Sequence, residues 1–180
     1  MEEFVCRLCG HNSYGIQYDL MVCMGCGVAF SQPGMFSLPD VNFIKLHPDA
    51  VTPTKAKDGD VGFDVCAIKD VTLCPGVVEM VETGISVELP PNTEIQVRPR
   101  SGLALKQGIM VANSPGTIDT GYRGPCNVLM LKTGNLPYVI HKGDKIAQFV
   151  VAPKMPYKFV EVETLTDTER GEGGFGHTGR

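Results

Sequence analysis

The chain has 180 residues, a formal charge of −4, 43% hydrophobic and 20% charged residues, and no tryptophan. Such a length carries one well-filled core plus a small appendage, and the weak negative charge offers no field that would gather nucleic acid. No run approaches the ~18 apolar residues of a membrane span, and the start, MEEFVCRLCG, lacks the basic cluster and apolar run of a secretory signal, so a soluble, cytoplasmic protein is expected.

Residues 1–30 hold four of the seven cysteines as two CxxC pairs, Cys6 with Cys9 and Cys23 with Cys26, separated by 13 residues. Without an export signal, paired CxxC units predict a metal site rather than disulfides. Zinc takes four tetrahedral ligands and thiolates suit it. Gly10 and Gly27 directly follow the two pairs and allow the tight turn that aims both thiols inward. A structural zinc ribbon is the expectation, with a redox dithiol as the alternative. His11 is read as a solvated loop residue. The ribbon is expected to contact protein rather than nucleic acid, because Arg7 is its sole Lys or Arg, against Glu2, Glu3 and Asp19. Phosphate binding needs Lys and Arg to displace counterions.

Residues 31–39, SQPGMFSLP, read as a linker with two prolines and a glycine. Beyond them, 21 glycines and 13 prolines in the whole chain favour short strands and tight turns over long helices. Ile85, Val87 and Leu89 interleave with Ser86 and Glu88; Ile95 and Val97 interleave with Glu94, Gln96 and Arg98 after a Pro90-Pro91-Asn92 turn. Val128–Leu131 is a continuous apolar run, expected to be a strand buried on both faces. Lys142-Gly143-Asp144 between Tyr138–Ile140 and Ile146–Val151 predicts a hairpin. Only Gly102–Gln107 suits a short helix. The pattern predicts an all-β sandwich or jelly roll. Cys66, Cys74 and Cys126 are read as small buried hydrophobes.

Five segments carry clustered Gly and polar residues: GFDVCA (62–67), PRSGLA (99–104), NSPGTIDTGYRG (113–124), GDKIAQ (143–148) and RGEGGFGHTG (170–179). Singly, each reads as a β-turn; Gly-rich segments with Arg and Ser also let backbone N–H groups approach phosphate closely. Together, in this order, they resemble the five motifs of the trimeric dUTPases, and the resemblance spans about 140 residues.

The resemblance implies a jelly-roll (β-clip) domain over 40–169, a C-terminal lid over 170–180, and a homotrimer whose active sites are built from all three chains. It implies hydrolysis of dUTP to dUMP and pyrophosphate by water attack on the α-phosphorus, with Mg²⁺ held mainly by the triphosphate and keeping several waters. Asp119 matches the general base that activates the water; a turn aspartate before Thr120-Gly121 is the plainer reading. Tyr122 matches the ring that packs under deoxyribose and leaves no room for a 2′-hydroxyl. Asn113, with backbone groups of Gly116, Thr117 and Ile118, matches the uracil-reading segment. Pairing all polar edges of the base rejects cytosine, whose mismatched groups would stay unsatisfied.

Arg100, Ser101, Gly102 and Gln148 match phosphate contacts. Asp64 matches a carboxylate near metal and phosphates, with a structural strand-end role as the alternative. In the glycine-rich tail, Arg170 is implied to reach the γ-phosphate, Phe175 to stack on uracil, and Gly176 and His177 to close over the nucleotide. His177 stands where the family usually has serine, and Val61 where it usually has alanine.

A dCTP deaminase shares the fold but needs a glutamate about ten residues after the hairpin aspartate, where this chain has Leu129. A dUTP-gated regulatory binding protein and action on a modified uracil stay open beside plain dUTP hydrolysis.

Overall fold

The computed structural model describes residues 40–155 and 157–174, together with the backbone of three short strands further toward the N-terminus. Those strands, β1 (Tyr14–Gln17), β2 (Leu20–Cys23) and β3 (Ala29–Phe30), pair antiparallel in the order β1-β2-β3. Cys6, Cys9 and Cys26 lie outside the described residues. The side chain of Cys23, which ends β2, does too.

From residue 40 onward the chain is built of short strands, as the turn-rich composition predicts. They are β4 (Asn42–Lys45), β5 (Phe63–Cys66), β6 (Val71–Leu73), β7 (Val78–Val81), β8 (Ile85–Glu88) and β9 (Thr93–Pro99). After the helix α1 (Ser101–Gln107) come β10 (Ile109–Val111), β11 (Gly116–Ile118), β12 (Val128–Lys132), β13 (Tyr138–Ile140) and β14 (Lys145–Pro153). They pair as a four-stranded sheet β11-β9-β14-β5, a three-stranded sheet β10-β12-β7, and two ribbons, β13-β6 and β4-β8. All named pairings are antiparallel.

Alternation in β9 and β12, joined by β14, supplies the core. Ile95 and Val97 of β9, Val128 and Met130 of β12, and Ile146 and Phe149 of β14 are almost fully buried in one cluster. Burying each such side chain contributes about 1.5–3 kcal/mol. The helix is a single short segment ended by Gly108, whose φ of 60° is left-handed and whose N–H returns to the Ala104 carbonyl at 3.0 Å. Among the described residues no helix is long and apolar enough to cross a membrane.

Four expectations change. The turn at Lys142–Asp144 forms, with Asp144 N–H donating to the His141 carbonyl at 2.9 Å, but it does not make a hairpin. Tyr138–Ile140 pairs with β6, while β14 pairs with β5 and β9. The chain turns a corner between sheets, and each strand finds its partner elsewhere. Ser86, expected to face water, is buried, because the loop after Tyr122 covers it and its Oγ donates to the Arg123 carbonyl at 2.7 Å.

The third change concerns β12. Val128 and Met130 are buried, but Leu129 is exposed and Leu131 half-buried. Leu129 pairs with Met80 and Leu131 with Val78, while Met110 pairs with Leu131, so five apolar side chains share one outward sheet face. One chain covers only one side of a strand whose composition suits two covered sides. Finally, Cys66 and Cys126 are buried but Cys74 is exposed.

Candidate active site

Strand β9 and the segment after it place one group of polar residues. Its last residue, Pro99, leads to Arg100, which stands in extended conformation before α1. Beside it, β14 and β5 bring Gln148 directly opposite Asp64. An open cleft of about 330 Å³ lies between them, lined by Asp64, Arg100, Ser101, Gly102 and Gln148 and by Ala56, Asp60, Val61 and Gly62 from the segment before β5. The structure therefore brings together the predicted residues of three segments that are far apart in sequence.

Ion pairs hold this group. Asp64, whose side chain is 15% exposed, receives Arg100 Nε at 3.1 Å on one oxygen and Lys145 Nζ at 2.8 Å on the other. Arg100 Nη1 also donates to the Lys145 carbonyl at 3.0 Å. Gln148 Nε2 donates to the Pro99 carbonyl at 3.0 Å. Charge-assisted bonds of this kind fix a guanidinium's plane as well as its position.

A second group sits on the loop and turn around β11. Gly116 and Ile118 are buried and pair with Val97 and Ile95 of β9, whereas Asn113, Thr117 and Asp119 are exposed. At Gly116 an added Cβ would stand 3.2 Å from Asn113 Nδ2 and from Val97 Cβ, which packs the loop onto β9. Tyr122 N–H closes a turn onto the Asp119 carbonyl at 3.0 Å. Arg123 Nη1 caps that turn, donating to the Thr120 carbonyl at 2.8 Å and the Tyr122 carbonyl at 2.9 Å. The Tyr122 hydroxyl donates to the Pro125 carbonyl at 3.0 Å, and its ring lies over Gly124.

The two groups are not together within one chain. Ile118 pairs with Ile95, and the Thr120 hydroxyl donates to the Thr93 carbonyl, so Asp119 lies at the start of β9. Arg100 follows its end, which puts about 20 Å of extended strand between them. Asn113, Asp119 and Tyr122 do not line the cleft. Of the tail, residues 170–174 form a turn in which Arg170 Nε donates to the Gly173 carbonyl at 2.9 Å. Phe175, Gly176 and His177 lie outside the described residues.

Among the described residues no cluster of three or more His, Cys, Asp or Glu side chains could hold a metal by itself. Both Asp64 oxygens are already engaged by cations, which suits a hydrated ion carried in by phosphate oxygens better than a directly ligated one. The two buried thiols are not poised as nucleophiles: burial pushes Cys66 up, and pushes Cys126 up to about 11.

Sequence reading assigned no role to Lys145, Arg123 or Gly62, although all three lie inside the quoted segments. What they do depends on which strands become neighbours, and nothing local in the sequence states that.

A family profile described as dUTPase matches residues 49–179. The deoxyuridine 5′-triphosphate nucleotidohydrolase of Crocosphaera subtropica is 50% identical over 139 residues, covering 77% of this chain and 98% of its own. That of Clostridium kluyveri is 51% identical over 135 residues, covering 75% and 94%. Among solved structures, the Staphylococcus bacteriophage 80alpha dUTPase with dUPNHPP superposes with a TM-score of 0.73 at 24% identity, covering 79% of this chain and all of that one. A mutant dUTPase from phage phi11 of S. aureus, which coordinates a structural Mg(II) ion, superposes with a TM-score of 0.65 at 22% identity, covering 70% and 98%.

Proposed function

The chain belongs to the dUTPase family, and we propose that Asp119, Tyr122 and the cleft around Arg100 carry its hydrolysis of dUTP to dUMP and pyrophosphate. The observation that carries the phosphate half is the open cleft in which Arg100, Ser101, Gly102 and Gln148 converge beside Asp64. Arg100 is anchored there from two sides before any ligand arrives. A preorganised cation of this kind stabilises developing negative charge without reorganising at the moment of reaction.

Asp119, exposed at the head of its turn, serves as the general base that takes the proton of the attacking water, a contribution of about 10²–10⁴ in rate. Tyr122, its hydroxyl tied to Pro125, presents its ring to the deoxyribose and excludes a ribose 2′-hydroxyl. Asn113 and backbone groups of the Gly116–Ile118 strand read the uracil edge. Mg²⁺, when bound with the nucleotide, supplies charge neutralisation on the phosphate oxygens. Asp64 then acts on its water shell rather than as a ligand, since its two oxygens are already paired. Arg170, Phe175, Gly176 and His177 close over the nucleotide as a lid.

The same geometry supports a homotrimer with shared sites. The separation of Asp119 from Arg100 along β9 leaves each chain with half a site at either end. The uncovered face of Met80, Leu129 and Leu131 gives a second copy an apolar surface to bury.

For residues 1–30 we propose a zinc ribbon held by Cys6, Cys9, Cys23 and Cys26, with a protein partner. Its support is the backbone order: one CxxC precedes the β1-β2 hairpin, and the other begins at the last residue of β2 and ends before β3. Metal analysis of the purified chain should find one zinc per chain, and a Cys6→Ser, Cys26→Ser double variant should lose it; zinc-free wild type would refute the ribbon.

The reaction is tested by pyrophosphate release from dUTP, dTTP, dCTP and UTP in Mg²⁺, with Asp119→Asn as control. Release from dUTP alone, lost in the variant, is the expected result. Release from none of the four would turn the reading toward a modified base or a regulatory binding role.

A further inference from the structure

The ladder between β14 and β5 is regular from Phe149 to Ala147 and then slips. Phe149 pairs with Phe63, Gln148 with Asp64 and Ala147 with Val65, so the next regular partner of Cys66 would be Ile146. Instead Cys66 faces Lys145. The slip is a β-bulge, and a bulge changes which face a side chain takes. Paired residues share a face, as do residues two apart on one strand. Lys145 opposite Cys66 therefore shares the face of Asp64 and Gln148. Without the bulge it would share the face of Ala147 and Val65, both of which are fully buried in the core. An unpaired ammonium there would be costly.

We infer that Lys145 is a positioning residue for the phosphate cleft, aimed at Asp64 by the bulge and fixing Arg100 beside the phosphates. Its Nζ meets one Asp64 oxygen at 2.8 Å, and Arg100 Nε meets the other at 3.1 Å. Its carbonyl accepts Arg100 Nη1. The three contacts form a closed ring, Lys145 to Asp64 to Arg100 and back to Lys145.

Charge points the same way. The charged residues that line the cleft, Asp60, Asp64 and Arg100, sum to −1, a poor receptor for a triphosphate, and Lys145 beside Asp64 brings the group to neutrality. The lone Lys145–Asp64 pair, with Lys145 43% exposed, would add little to stability. Its consequence is for the geometry and charge of the cleft.

The inference rests on the hydrolase reading, so the test separates the two. Binding of inorganic tripolyphosphate in Mg²⁺ is measured by calorimetry, and kcat and KM for dUTP are measured beside it, in wild type, Lys145→Met and Lys145→Arg. Lys145→Met should weaken tripolyphosphate binding and raise KM by about tenfold, with a smaller fall in kcat and an unchanged unfolding midpoint. Lys145→Arg should return both to within about threefold of wild type. In an Asp64→Asn background, Lys145→Met should add little, because residues acting through one another are not additive. Lys145→Met with wild-type binding and KM would overturn the assignment. A fall in thermal stability that Lys145→Arg fails to restore would overturn it too, as would a wild-type chain that binds no tripolyphosphate. A wild type that binds tripolyphosphate but leaves dUTP intact would defeat the hydrolase reading and leave Lys145's role standing.

Discussion

Gly62 and Gln148 touch across the cleft so closely that a Cβ on Gly62 would stand 2.1 Å from Gln148 Oε1 and 3.0 Å from its Cβ. Gln148 cannot swing away without giving up the bond from its Nε2 to the Pro99 carbonyl. Gly62→Ala should therefore displace the Gln148 amide from the cleft rather than unfold the strand, since Gly62 precedes β5 and the pairing of Phe63–Cys66 is kept. The expected result is a five- to tenfold rise (on the order of one hydrogen bond to a charged group) in KM for dUTP with little change in the unfolding midpoint. Equal kinetics in Gly62→Ala and wild type would separate Gln148 from the phosphates.

The Tyr122 ring has a comparable dependence on Gly124. An added Cβ there would lie 2.5 Å from the Tyr122 hydroxyl oxygen and 2.7 Å from Cζ. Tyr122 is 44% exposed, so its ring can rotate outward instead of straining the core. Gly124→Ala should thus relax sugar discrimination: the ratio of kcat/KM for dUTP over UTP falls by about tenfold, which corresponds to ~1.4 kcal/mol of lost differential binding. A variant that loses dUTP turnover but keeps the ratio would place Tyr122 outside the sugar contact.

Much of this arrangement is legible in the sequence. Alternation around Ile85 and Ile95, the breaks at Pro90–Asn92 and Lys142–Asp144, and the short stretch available for α1 give an all-β domain. The clustered segments name Asp64, Arg100 and Gln148, which the fold then brings into one cleft. What could not be read is pairing. Ile140 and Ile146 flank a good turn, yet they belong to strands with different partners, because a corner between two sheets has the same local signature as a hairpin. The bulge at Lys145 is equally silent, since the register of β14 is set by β5 and not by its own residues. Val128–Leu131 reads as a strand covered on both faces, and the single chain covers one. The uncovered face is the one proposed above to meet a second copy of the chain.

Acid should loosen the turn that carries Asp119. Asn42 Nδ2 donates to Glu88 Oε2 at 3.1 Å and Arg123 Nη2 lies 3.4 Å from Oε1; these contacts hold the Glu88 carboxyl below its ordinary value of 4.5. A carboxylate with a depressed folded value contributes stability that is present above its ordinary value and is lost as pH falls through the depressed one. Protonation frees Arg123 from Glu88, although its bonds to the Thr120 and Tyr122 carbonyls remain. Because all these groups are exposed, the effect is small. Glu88→Gln should lower kcat by no more than about threefold at neutral pH. Wild type should converge on the variant as pH falls below 4.5. A ratio of the two rates that stays constant across that range would remove Glu88 from the support of the turn.

The length of β9 has the largest consequence for activity. Asp119 sits beside Thr93 and Arg100 follows Pro99, so neither can serve the other's half of a site in its own chain. If one chain supplies the cleft and another supplies the turn, two inactive variants should complement. Asp119→Asn leaves an intact cleft on a chain with a dead base, and Arg100→Ala leaves an intact base on a chain with a dead cleft. Each alone should show less than about 1% of wild-type turnover, given the size of a general-base or charge-stabilising contribution. Subunits exchanged by co-refolding an equal mixture should regain activity, because random assembly places some intact clefts against intact turns. The recovered rate should vanish when Leu129→Lys is added to both, since a charge on the apolar face of β12 opposes burial against a second copy. Sedimentation of that variant should show smaller particles with an unchanged far-ultraviolet spectrum. A refolded mixture as inactive as its parents, with exchange shown by differently tagged chains, would overturn the shared site.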